Sequence, residues 1–586
     1  MSHRDRHRGE RRPRRRPDKG PAPLLPPVHL PAPETSEPTR RPAADESRAP
    51  EPLSAQTAEP APPAHLPLSP DLWPVMALLA LAAIPFLPAL SADFVWDDYA
   101  LIVNNPLLRS FADIGAIFSR PFLATAPNAY HPLTTLSYLV DYQVWRLNPI
   151  GYHTTNLTLH LVATLLLFTV AVQLLRRRDM AFAATAVFAA HPVHVQSVAW
   201  IAGRSQLLAT CLALFAFLAY TYYVQSAAGN SGARRRTLAY YWLAVLAFTL
   251  GLFAHAAVAG LVVLLPLYEL TLARQRLSIH RQGWRLLLPY AGFVGGGILY
   301  LLARWWALGY QLAPGLEVAA WPACLYTVPL WAVRAVELLM LPVRSQPYYP
   351  VALLGTPLRL DVVTATAALA VVIALAVRAR TVSPVAAFAA WWSLLTLAPA
   401  LNFIPLPVPQ FAERNLYLPS AGIAIVVGYG AISAMTAARG RRWVRALVAV
   451  AFAGIIGRGI YVSRQRALWY RDQVTLFTQI VRTQPQSALA HFNLAGAYLT
   501  GGEAEAAIKE YRRAIRLRPT ATAYHGLGDA YMAAGLPTEA APAYRSALAL
   551  APALQMGAGE LSAVLDAQRS RAQTGGESTT PNRGLR

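Results

Sequence analysis

The stretch LWPVMALLALAAIPFLPALSADFVWDDYALIVNNP (72–106) combines a long apolar run with two adjacent carboxylates, Asp97 and Asp98. The apolar run, 72–90, is long enough to cross a bilayer as a helix, which takes about 20 residues. Two carboxylates beside a membrane are costly unless they face water or take part in chemistry. The stretch therefore predicts a membrane span followed by a polar site at the membrane surface.

The composition of the chain indicates an integral membrane protein that also carries soluble parts. Of its 586 residues, 55% are hydrophobic and only 14% are charged. Lys and Arg number 52 against 30 Asp and Glu, but the arginines crowd at the N-terminus (4–16) and in short clusters between apolar runs. Such clusters are typical of cytoplasmic loops, so we expect no nucleic-acid partner. Cys211 and Cys324 lie in apolar surroundings without a CxxC pattern, which favours buried hydrophobes over a metal or redox site.

The N-terminal region, 1–70, is rich in Pro, Ala and Arg and has almost no aromatic residues. This composition predicts a disordered cytoplasmic tail. The run 72–90 resembles the core of a signal peptide, and LSAD (90–93) resembles a cleavage site. Because the segment before it is far too long for an ordinary signal peptide, we predict an uncleaved signal-anchor helix.

Further apolar runs predict a helical domain over 71–463 with about eleven spans in total. The run 323–341 contains Arg334 and Glu337, which are expensive at the middle of a bilayer, so we predict an amphipathic or re-entrant helix on the outer face. The other predicted spans lie near 154–175, 180–200, 205–224, 238–253, 254–271, 286–303, 361–379, 384–403, 417–436 and 443–463.

The basic clusters between these runs predict the orientation of the chain. With the N-terminus in the cytoplasm and 323–341 not spanning, the clusters at 378–380 and 439–445 also fall inside, as the positive-inside rule requires. The loops 93–150 and 409–420, and everything after Arg464, then lie outside. The high Ala and Arg content looks bacterial, so we predict an inner-membrane protein whose C-terminal part is periplasmic.

The C-terminal part contains a clear internal repeat. HFNLAGAYLTGGEAEAAIKEYRRAIRLRP (491–519) aligns with YHGLGDAYMAAGLPTEAAPAYRSALALAP (524–552) at a spacing of 33 residues. Large residues recur on one helix face and Ala or Gly where two helices approach, which is the tetratricopeptide pattern. The recurring pairs are Leu494/Leu527, Tyr498/Tyr531, Gly502/Gly535, Ala507/Ala540, Tyr511/Tyr544, Ala514/Ala547 and Pro519/Pro552.

These repeats predict a tetratricopeptide α-solenoid over 464–572, followed by a disordered C-terminus at 573–586. At least three units are normally needed, and 468–485 supplies a degenerate leading unit while 555–572 looks like a capping helix. Repeats of this kind can simply stack, but they usually hold a peptide or protein partner in their concave face. We expect the second role here.

Four motifs occur in order ahead of the repeats, and together they resemble a known family. They are FVWDDYALIVNNP (94–106), YHPLTTLSYLVDYQVWRLNPIGYHTTNLTLHL (130–161), AAHPVHVQSVAWIAGRSQLLA (189–209) and AERNLYLPS (412–420). The chain resembles the transmembrane and tetratricopeptide repeat-containing O-mannosyltransferases and their bacterial relatives, which are GT-C-class glycosyltransferases. The resemblance implies an all-α polytopic bundle that transfers a sugar from a polyprenyl-phosphate carrier to a protein hydroxyl, with inversion.

By this resemblance, Asp97 is the expected general base and Asp98 its partner. A Ser or Thr hydroxyl is a weak nucleophile and needs a positioned base when it attacks the anomeric carbon. Adjacent carboxylates repel each other, and low dielectric adds to the resulting rise in the pKa of one of them. The alternative is a solvated helix end without chemistry.

The leaving group is a lipid phosphate, which needs cations or hydrogen-bond donors where charge develops. Arg204 and Arg414 lie in matching motifs at the outer face, and Arg304 is a further candidate. Each of these arginines could instead touch lipid head groups. Glu413 and Tyr417 are assigned to the same donor site. The alternatives are that Glu413 pairs with Arg414 and that Tyr417 belongs to an aromatic belt at the outer edge of its span.

Several histidines gather in the same motifs near the outer face: His131, His153, His160, His191 and His194. We expect them to hydrogen-bond the sugar or phosphate, or to hold loops in place. A divalent metal is a less favoured alternative, because neither an HExxH motif nor a carboxylate-rich set accompanies them. We therefore expect no cofactor, and the lipid-linked sugar is the donor substrate.

Four residues depart from the pattern of the family. His131 stands where relatives usually carry Arg, Gln196 and Gln206 where they carry an acid, and His255 where they carry Lys. The motifs and the resemblance together predict a glycosyltransferase that moves a hexose, by resemblance mannose, to Ser or Thr of proteins outside the cytoplasm.

Three alternatives remain open. The first is a non-catalytic membrane scaffold for the repeats. The second is a transporter or lipid flippase, which would favour inverted repeats and charges near the bilayer midplane. The third keeps the chemistry but has a glycan or lipid acceptor.

Overall fold

The computed structural model describes most of the chain from Leu72 onward. The predicted tails, 1–70 and 573–586, lie outside the described residues. The structure describes 72–123, 129–228, 234–273, 287–309, 321–342, 345–350, 354–401, 410–552 and 559–566.

Helices make up nearly all of the regular structure in the described ranges, which confirms the predicted all-α class. The α-helices before the repeats are α1 (Trp73–Ala83), α2 (Ile114–Phe118), α3 (Pro132–Trp145), α4 (Pro149–Leu175), α5 (Arg178–Ala189), α6 (Val195–Val198), α7 (Arg204–Ala228), α8 (Arg234–Ala254), α9 (Leu261–Thr271), α10 (Leu288–Ala307), α11 (Trp321–Met340), α12 (Leu360–Ala379), α13 (Pro384–Leu397), α14 (Tyr417–Ala437) and α15 (Arg442–Ala467).

Short elements join these helices. Strands β1 (Tyr349–Pro350) and β2 (Gln410–Phe411) form an antiparallel ladder with Tyr349 opposite Phe411. The first span continues from α1 as a 3₁₀ helix, because Pro85 and Pro88 interrupt α-helical hydrogen bonding. The 3₁₀ helices are Ile84–Ser91, Pro106–Leu108, Phe111–Asp113, Pro192–His194, Ile201–Gly203, Ala256–Gly260, Ala398–Ala400, Glu413–Leu416 and Leu468–Tyr470, and Tyr99–Val103 is a π-helix.

Eight helical segments in the described residues are long and apolar enough to cross a membrane. They confirm a multi-pass membrane protein by length and composition. All but Trp321–Met340 coincide with predicted spans. The eight are Trp73–Ser91, Pro149–Leu175, Ile201–Ala227, Arg234–Ala254, Trp321–Met340, Leu360–Ala379, Glu413–Ala437 and Arg442–Tyr470.

The predicted span at 180–200 is wrong as a single helix. Helix α5 ends at Ala189, and a 3₁₀ turn begins at Pro192. A residue that precedes proline is disfavoured in the α conformation, so the pair His191–Pro192 breaks the helix. The predicted spans 254–271 and 384–403 appear as the shorter apolar helices Ala256–Thr271 and Pro384–Ala400.

Helix α11 covers the run that we predicted not to span. It is long and apolar enough to cross a bilayer, so composition does not set it apart from the other candidates. Its two charged residues form an ion pair, with Arg334 Nη1 2.6 Å from Glu337 Oε2, which lowers the cost of burying them. The number of spans and the orientation of the chain therefore stay predictions.

Glycine allows α14 to lie directly against α5. A Cβ atom at Gly428 would lie 2.3 Å from the backbone nitrogen of Ala184, whereas one at Gly430 would meet nothing within 4 Å. Such a contact with backbone cannot be relieved by a side-chain rotation. The close packing of these two helices therefore depends on the absence of a side chain at Gly428.

We expect Gly428→Ala to lower the free energy of unfolding by about 1–3 kcal/mol, because overpacking forces the two helices apart. Gly430→Ala on the same helix is the matched control and should be neutral or slightly stabilising through helix propensity. Chemical denaturation in detergent micelles measures both. Equal stability of the two variants would contradict the close approach of α5 and α14.

The C-terminal repeats form the predicted helix hairpins. Small residues stand where the helices approach, because a Cβ at Gly526 would lie within 2.5 Å of the Tyr511 ring. Val564, in the helical segment 559–566, is buried in the same core, as expected of the capping helix. The helices are α16 (Gln473–Thr483), α17 (Ala488–Thr500), α18 (Ala504–Leu517), α19 (Ala521–Ala533) and α20 (Pro537–Leu550).

The first repeat helices share a hydrophobic core with the membrane-embedded part. Leu476, Phe477 and Ile480 of α16 belong to the same buried cluster as Trp200. The chain before Asp97 is tied to this region, since Asp93 N–H donates a hydrogen bond to the carbonyl of Arg471 at 2.9 Å. The loop that carries the two carboxylates therefore lies beside the repeats.

Candidate active site

Asp98 is a buried residue that holds the loop of the carboxylate pair in place. One carboxylate oxygen accepts a hydrogen bond from Val95 N–H at 3.0 Å, and the other from Ala202 N–H at 2.8 Å. The indole N–H of Trp200 donates to the carbonyl of Val95 at 3.3 Å, which adds a second link between the same segments. With both oxygens engaged by the backbone, Asp98 acts as a positioning residue.

Trp96 fixes the backbone directly before Asp97. Its φ is 53°, in the left-handed region that a bulky residue adopts only when its surroundings compensate the strain. Its ring stacks on Trp200 at 5.4 Å and meets Tyr348 at 6.1 Å and Phe477 at 5.7 Å. These aromatic contacts supply that compensation and set where the next side chain begins.

Asp97 is partly buried and has no hydrogen bond or ion pair with any other described residue. Burial raises the pKa of its carboxyl group, and the nearby charge of Arg414 opposes the shift. A carboxylate with a raised pKa and unoccupied oxygens can accept a proton from a substrate. Of the two adjacent carboxylates, Asp97 is thus the one available for chemistry.

Arg414 stands at the start of the segment that leads into α14, near enough for its charge to act on the carboxyl group of Asp97. Its backbone N–H donates to Gln196 Oε1 at 2.9 Å, and its guanidinium carbon lies 5.2 Å from the centre of the Trp200 ring. A guanidinium over an indole is stabilised by a cation–π interaction and keeps its N–H groups for other partners. Arg414 can therefore place positive charge beside Asp97.

Three of the residues that depart from the family pattern, His131, Gln206 and His255, are linked by direct contacts. The rings of His131 and His255 stack at 4.9 Å with an interplanar angle of 15°. Gln206 contacts His255 Nε2 at 2.9 Å and Asn415 Oδ1 at 2.9 Å. The fourth, Gln196, is the partner of Arg414 described above, so the four departures form one connected region.

His131 is uncharged at neutral pH in this arrangement. Burial lowers its pKa well below the usual value, and the neighbouring His255, Arg304 and Arg414 lower it further. The positive charge of this region is thus carried by the two arginines. The two arginines supply the positive charge that a phosphate group needs, and His131 Nδ1 is buried without a hydrogen-bond partner among the described residues.

Arg204, for which we predicted binding of the donor, is engaged by other protein groups in the structure. It is fully buried, and its Nη1 lies 2.6 Å from Asp141 Oδ2 in an ion pair. Its other nitrogens donate to Asn156 Oδ1 at 2.8 Å and to the carbonyl of Tyr152 at 2.9 Å. Every guanidinium nitrogen already has a protein partner, so none is left for a phosphate.

Glu413 also has a role other than the predicted ones. Its carboxylate accepts hydrogen bonds from Gln346 N–H at 2.9 Å and from the hydroxyl of Tyr349. In the described residues it forms no ion pair with Arg414. Glu413 instead ties the segment before α14 to the chain around β1.

The remaining histidines pack among helices instead of facing Asp97. His160 Nδ1 lies 2.6 Å from the hydroxyl of Tyr417, and His194 Nε2 lies 2.8 Å from Ser420 Oγ. His191 Nε2 lies 3.0 Å from the carbonyl of Leu339, and His153 is buried against the backbone of Asp93. These contacts agree with the loop-holding alternative for His160, His191 and His194. Tyr417 is fully buried, and both ring nitrogens of His153 lack a hydrogen-bond partner among the described residues. Among the described residues, no three His, Cys, Asp or Glu side chains come together as a metal site.

The sequence analysis did not identify two residues that contact the predicted site residues, Asp141 and Asn415. Asp141 stands inside a motif that we quoted, and the rule that a buried arginine needs a charged partner could have identified it. Asn415 completes the contact of Gln206, but no local signal in the sequence predicts that contact.

Comparison with known proteins places these observations in a family context. A tetratricopeptide repeat model matches 470–522 and 505–555. A human protein O-mannosyl-transferase is 27% identical over 74% of this chain and 53% of its own length. A mouse protein O-mannosyl-transferase is 26% identical over 76% of this chain and 66% of its own length. One from Caenorhabditis elegans is 37% identical over 25% of this chain and 22% of its own length.

These relatives confirm the resemblance predicted from the motifs, since the homologues over about three quarters of the chain are protein O-mannosyl-transferases. The chain spans about half the length of the human relative. A crystal structure of the Archaeoglobus fulgidus oligosaccharyltransferase with a tethered acceptor peptide aligns with a TM-score of 0.40 and 12% identity, over 71% of this chain and 58% of that one.

Proposed function

We propose that this chain is a membrane glycosyltransferase that moves a hexose from a polyprenyl-phosphate donor to Ser or Thr of proteins outside the cytoplasm. The observation that carries the proposal is Asp97, a partly buried carboxylate without a bonded partner among the described residues, on which the charge of Arg414 acts. The names of the relatives support mannose as the sugar and a protein as the acceptor.

The proposed reaction begins at the acceptor hydroxyl. Asp97 accepts its proton while the oxygen attacks the anomeric carbon of the donor sugar. The bond between that carbon and the phosphate oxygen breaks, and the bonding electrons leave with the lipid phosphate. A single displacement of this kind inverts the anomeric centre. The proton on Asp97 then passes to water.

Arg414 has the second role in this proposal. Negative charge grows on the phosphate as it leaves, and a guanidinium beside it stabilises that charge where it develops. Arg304 and Arg414 both act electrostatically on His131, so both would supply positive charge near a phosphate bound beside it. His131 would add a neutral contact to the phosphate or the sugar through its Nδ1, which has no hydrogen-bond partner among the described residues.

The cellular setting is part of the proposal. We place the N-terminus in the cytoplasm and the repeats in the periplasm of a bacterium, following the distribution of arginines between the apolar runs. The repeats would bind the acceptor protein, as tetratricopeptide repeats commonly bind peptides. No metal is needed in this mechanism.

The test is transfer of labelled mannose by the purified full chain in detergent. It is offered polyprenyl-phosphate-mannose together with a mixture of periplasmic proteins, and a nucleotide-linked mannose serves as the donor control. We expect label on protein that alkaline β-elimination releases, with the lipid-linked donor only. Label on lipid or glycan would move the acceptor to the third alternative. Peptide binding without any transfer would favour the scaffold.

The pH dependence of the reaction should report Asp97. A base must be deprotonated, so activity is present above its pKa and is lost as the pH falls through it. Because burial raises this pKa, the acid limb of kcat/KM should lie above the ordinary range for an aspartate. Removing the opposing charge with Arg414→Gln should move the limb further upward. An acid limb that stays in place in Arg414→Gln would contradict the proximity of the two groups.

A further inference from the structure

Gln196 is a buried glutamine of the short helix α6, and its side chain joins two distant segments of the chain. Its exposed fraction is 4%. Its Oε1 accepts a hydrogen bond from the backbone N–H of Arg414 at 2.9 Å, and its Nε2 donates one to the carbonyl of Pro347 at 3.0 Å. These partners lie 218 and 151 residues further along the sequence. A single side chain thus fixes the start of the turn that carries Arg414.

The two partners determine the orientation of this amide. A backbone N–H can only donate and a carbonyl can only accept, so the atom that contacts Arg414 is oxygen and the one that contacts Pro347 is nitrogen. The position therefore requires an acceptor and a donor on one uncharged side chain. Glutamine meets this requirement, whereas an ionised carboxylate has no hydrogen for the carbonyl of Pro347.

The turn that carries Arg414 depends on the acceptor that Gln196 supplies. The turn is the 3₁₀ helix Glu413–Leu416, and the first N–H groups of a helix have no partner within it. Ala412 stands at the N-cap and has no side-chain oxygen that could accept one of them. Without Gln196, the N–H of Arg414 would lose its acceptor, and the segment would be less firmly held at that residue.

The contacts of this segment leave the charge of Arg414 uncompensated by an ion pair. Among the described residues, none of the ion pairs includes Arg414. Its guanidinium lies over the ring of Trp200, and its charge acts on the carboxyl group of Asp97. Because Gln196 is neutral, it holds the backbone of Arg414 without reducing the positive charge that a phosphate needs.

We propose that Gln196 is a positioning residue for the donor phosphate, and that it acts by holding Arg414 in place with an uncharged side chain. The inference rests on the proposed function, in which Arg414 stabilises the phosphate of the lipid-linked sugar. In this role Gln196 does not touch the donor. Its effect on phosphate binding should therefore pass entirely through Arg414.

The test measures binding of farnesyl phosphate, a short polyprenyl phosphate, to the full chain in detergent, with farnesol as the uncharged control. We expect Arg414→Gln to weaken phosphate binding about 10–100-fold and Gln196→Leu about three- to tenfold, the usual contributions of charged and neutral hydrogen bonds. The double variant should bind as weakly as Arg414→Gln alone, because both changes remove the same interaction. Gln143→Leu is the matched control, since that amide donates to the carbonyls of Leu108 and Arg109 and should leave binding unchanged.

Gln196→Glu tests the requirement for an uncharged side chain. Its new carboxyl group can donate to the carbonyl of Pro347 only while it is protonated. Binding should therefore approach that of the parent chain at low pH and weaken as the pH rises through the pKa of this group. The titratable and charged groups around the position are Tyr470, Glu413, Arg414 and Arg466. They are present in the parent chain as well, so the ratio of the two affinities isolates the new carboxyl group.

The proposal is overturned if the two losses add in the double variant, or if Gln196→Leu binds farnesyl phosphate like the parent chain. It is also overturned if the parent chain binds farnesyl phosphate no better than farnesol, or if the affinity ratio of Gln196→Glu does not change with pH. Chemical denaturation separates loss of folded protein from loss of affinity, and Gln196→Glu at low pH supplies a folded variant without the amide.

Sugar transfer is measured separately on the same proteins. Transfer together with additive losses would retain the enzyme and remove only this role of Gln196. The expected binding pattern without any transfer would support the role of Gln196 and contradict the proposed function.

Discussion

Asp97→Asn is expected to slow sugar transfer by about 10²–10⁴-fold, the contribution typical of a positioned general base. An amide has nearly the same shape as the carboxylate but cannot accept the proton of the hydroxyl. Asp97 makes no hydrogen bond to another described residue, and burial raises the pKa of its carboxyl group, so removing the charge should leave stability unchanged or slightly higher. Initial rates with labelled polyprenyl-phosphate-mannose measure the first effect, and chemical denaturation in detergent measures the second.

Asp98→Asn is the matched control, since it makes the same chemical change at the adjacent position. Both oxygens of Asp98 accept backbone N–H groups, and an amide must turn its NH₂ toward one of them. An unsatisfied buried donor costs about 1–3 kcal/mol, so this variant should lose stability. If Asp98→Asn were inactive with full stability while Asp97→Asn stayed active, the base would be Asp98.

Arg204→Met is expected to lower the free energy of unfolding by about 3–5 kcal/mol, the usual effect of removing one partner of a buried ion pair. The change leaves Asp141 charged and buried, because Arg204 Nη1 lies 2.6 Å from its carboxylate and both side chains are nearly inaccessible. Chemical denaturation measures the loss. The donor's KM should change little in the protein that remains folded, since Arg204 has no nitrogen free for a phosphate.

Two controls separate burial from charge in this experiment. Arg177→Met removes a partner of the ion pair with Asp179, in which both side chains are about half exposed, and should have no measurable effect. Adding Asp141→Leu to Arg204→Met removes the stranded carboxylate and should restore part of the stability. A stable Arg204→Met with a strongly raised KM for the donor would return Arg204 to the phosphate site.

Much of the fold could be predicted from local sequence. The repeats were identifiable because Tyr511 and Tyr544 recur at the tetratricopeptide spacing beside small residues, and that packing is decided within one unit. Most spans were identifiable because an apolar run has few alternatives in a membrane protein. Pro192 indicates a helix break, but the apolar residues on both sides of it favoured the prediction of one continuous span. The status of α11 depends on where a bilayer lies.

The candidate site was less predictable, because contacts with residues far away in the sequence decide which of its side chains are available for chemistry. Asp97 and Asp98 have the same chemistry and nearly the same neighbours in the sequence. What separates them is the N–H of Ala202, more than 100 residues further along the chain. Arg204 and Arg414 likewise differ only through Asp141 and Trp200, and no periodicity in the sequence reveals either partner.

The core shared by α16 and the membrane-embedded helices limits where the repeats can be exchanged for those of another protein. That core also contains Ala490, Leu494 and Ala497 of α17. Dividing the chain at Arg464 would therefore expose apolar surface on both fragments. A chimera with foreign repeats should retain α16 and α17, and its new helices must fit the other face of α17, where Ala495 belongs to the buried cluster of the later repeats. Helices α16 and α17 thus belong with the membrane-embedded helices, and only the repeats after them can be exchanged.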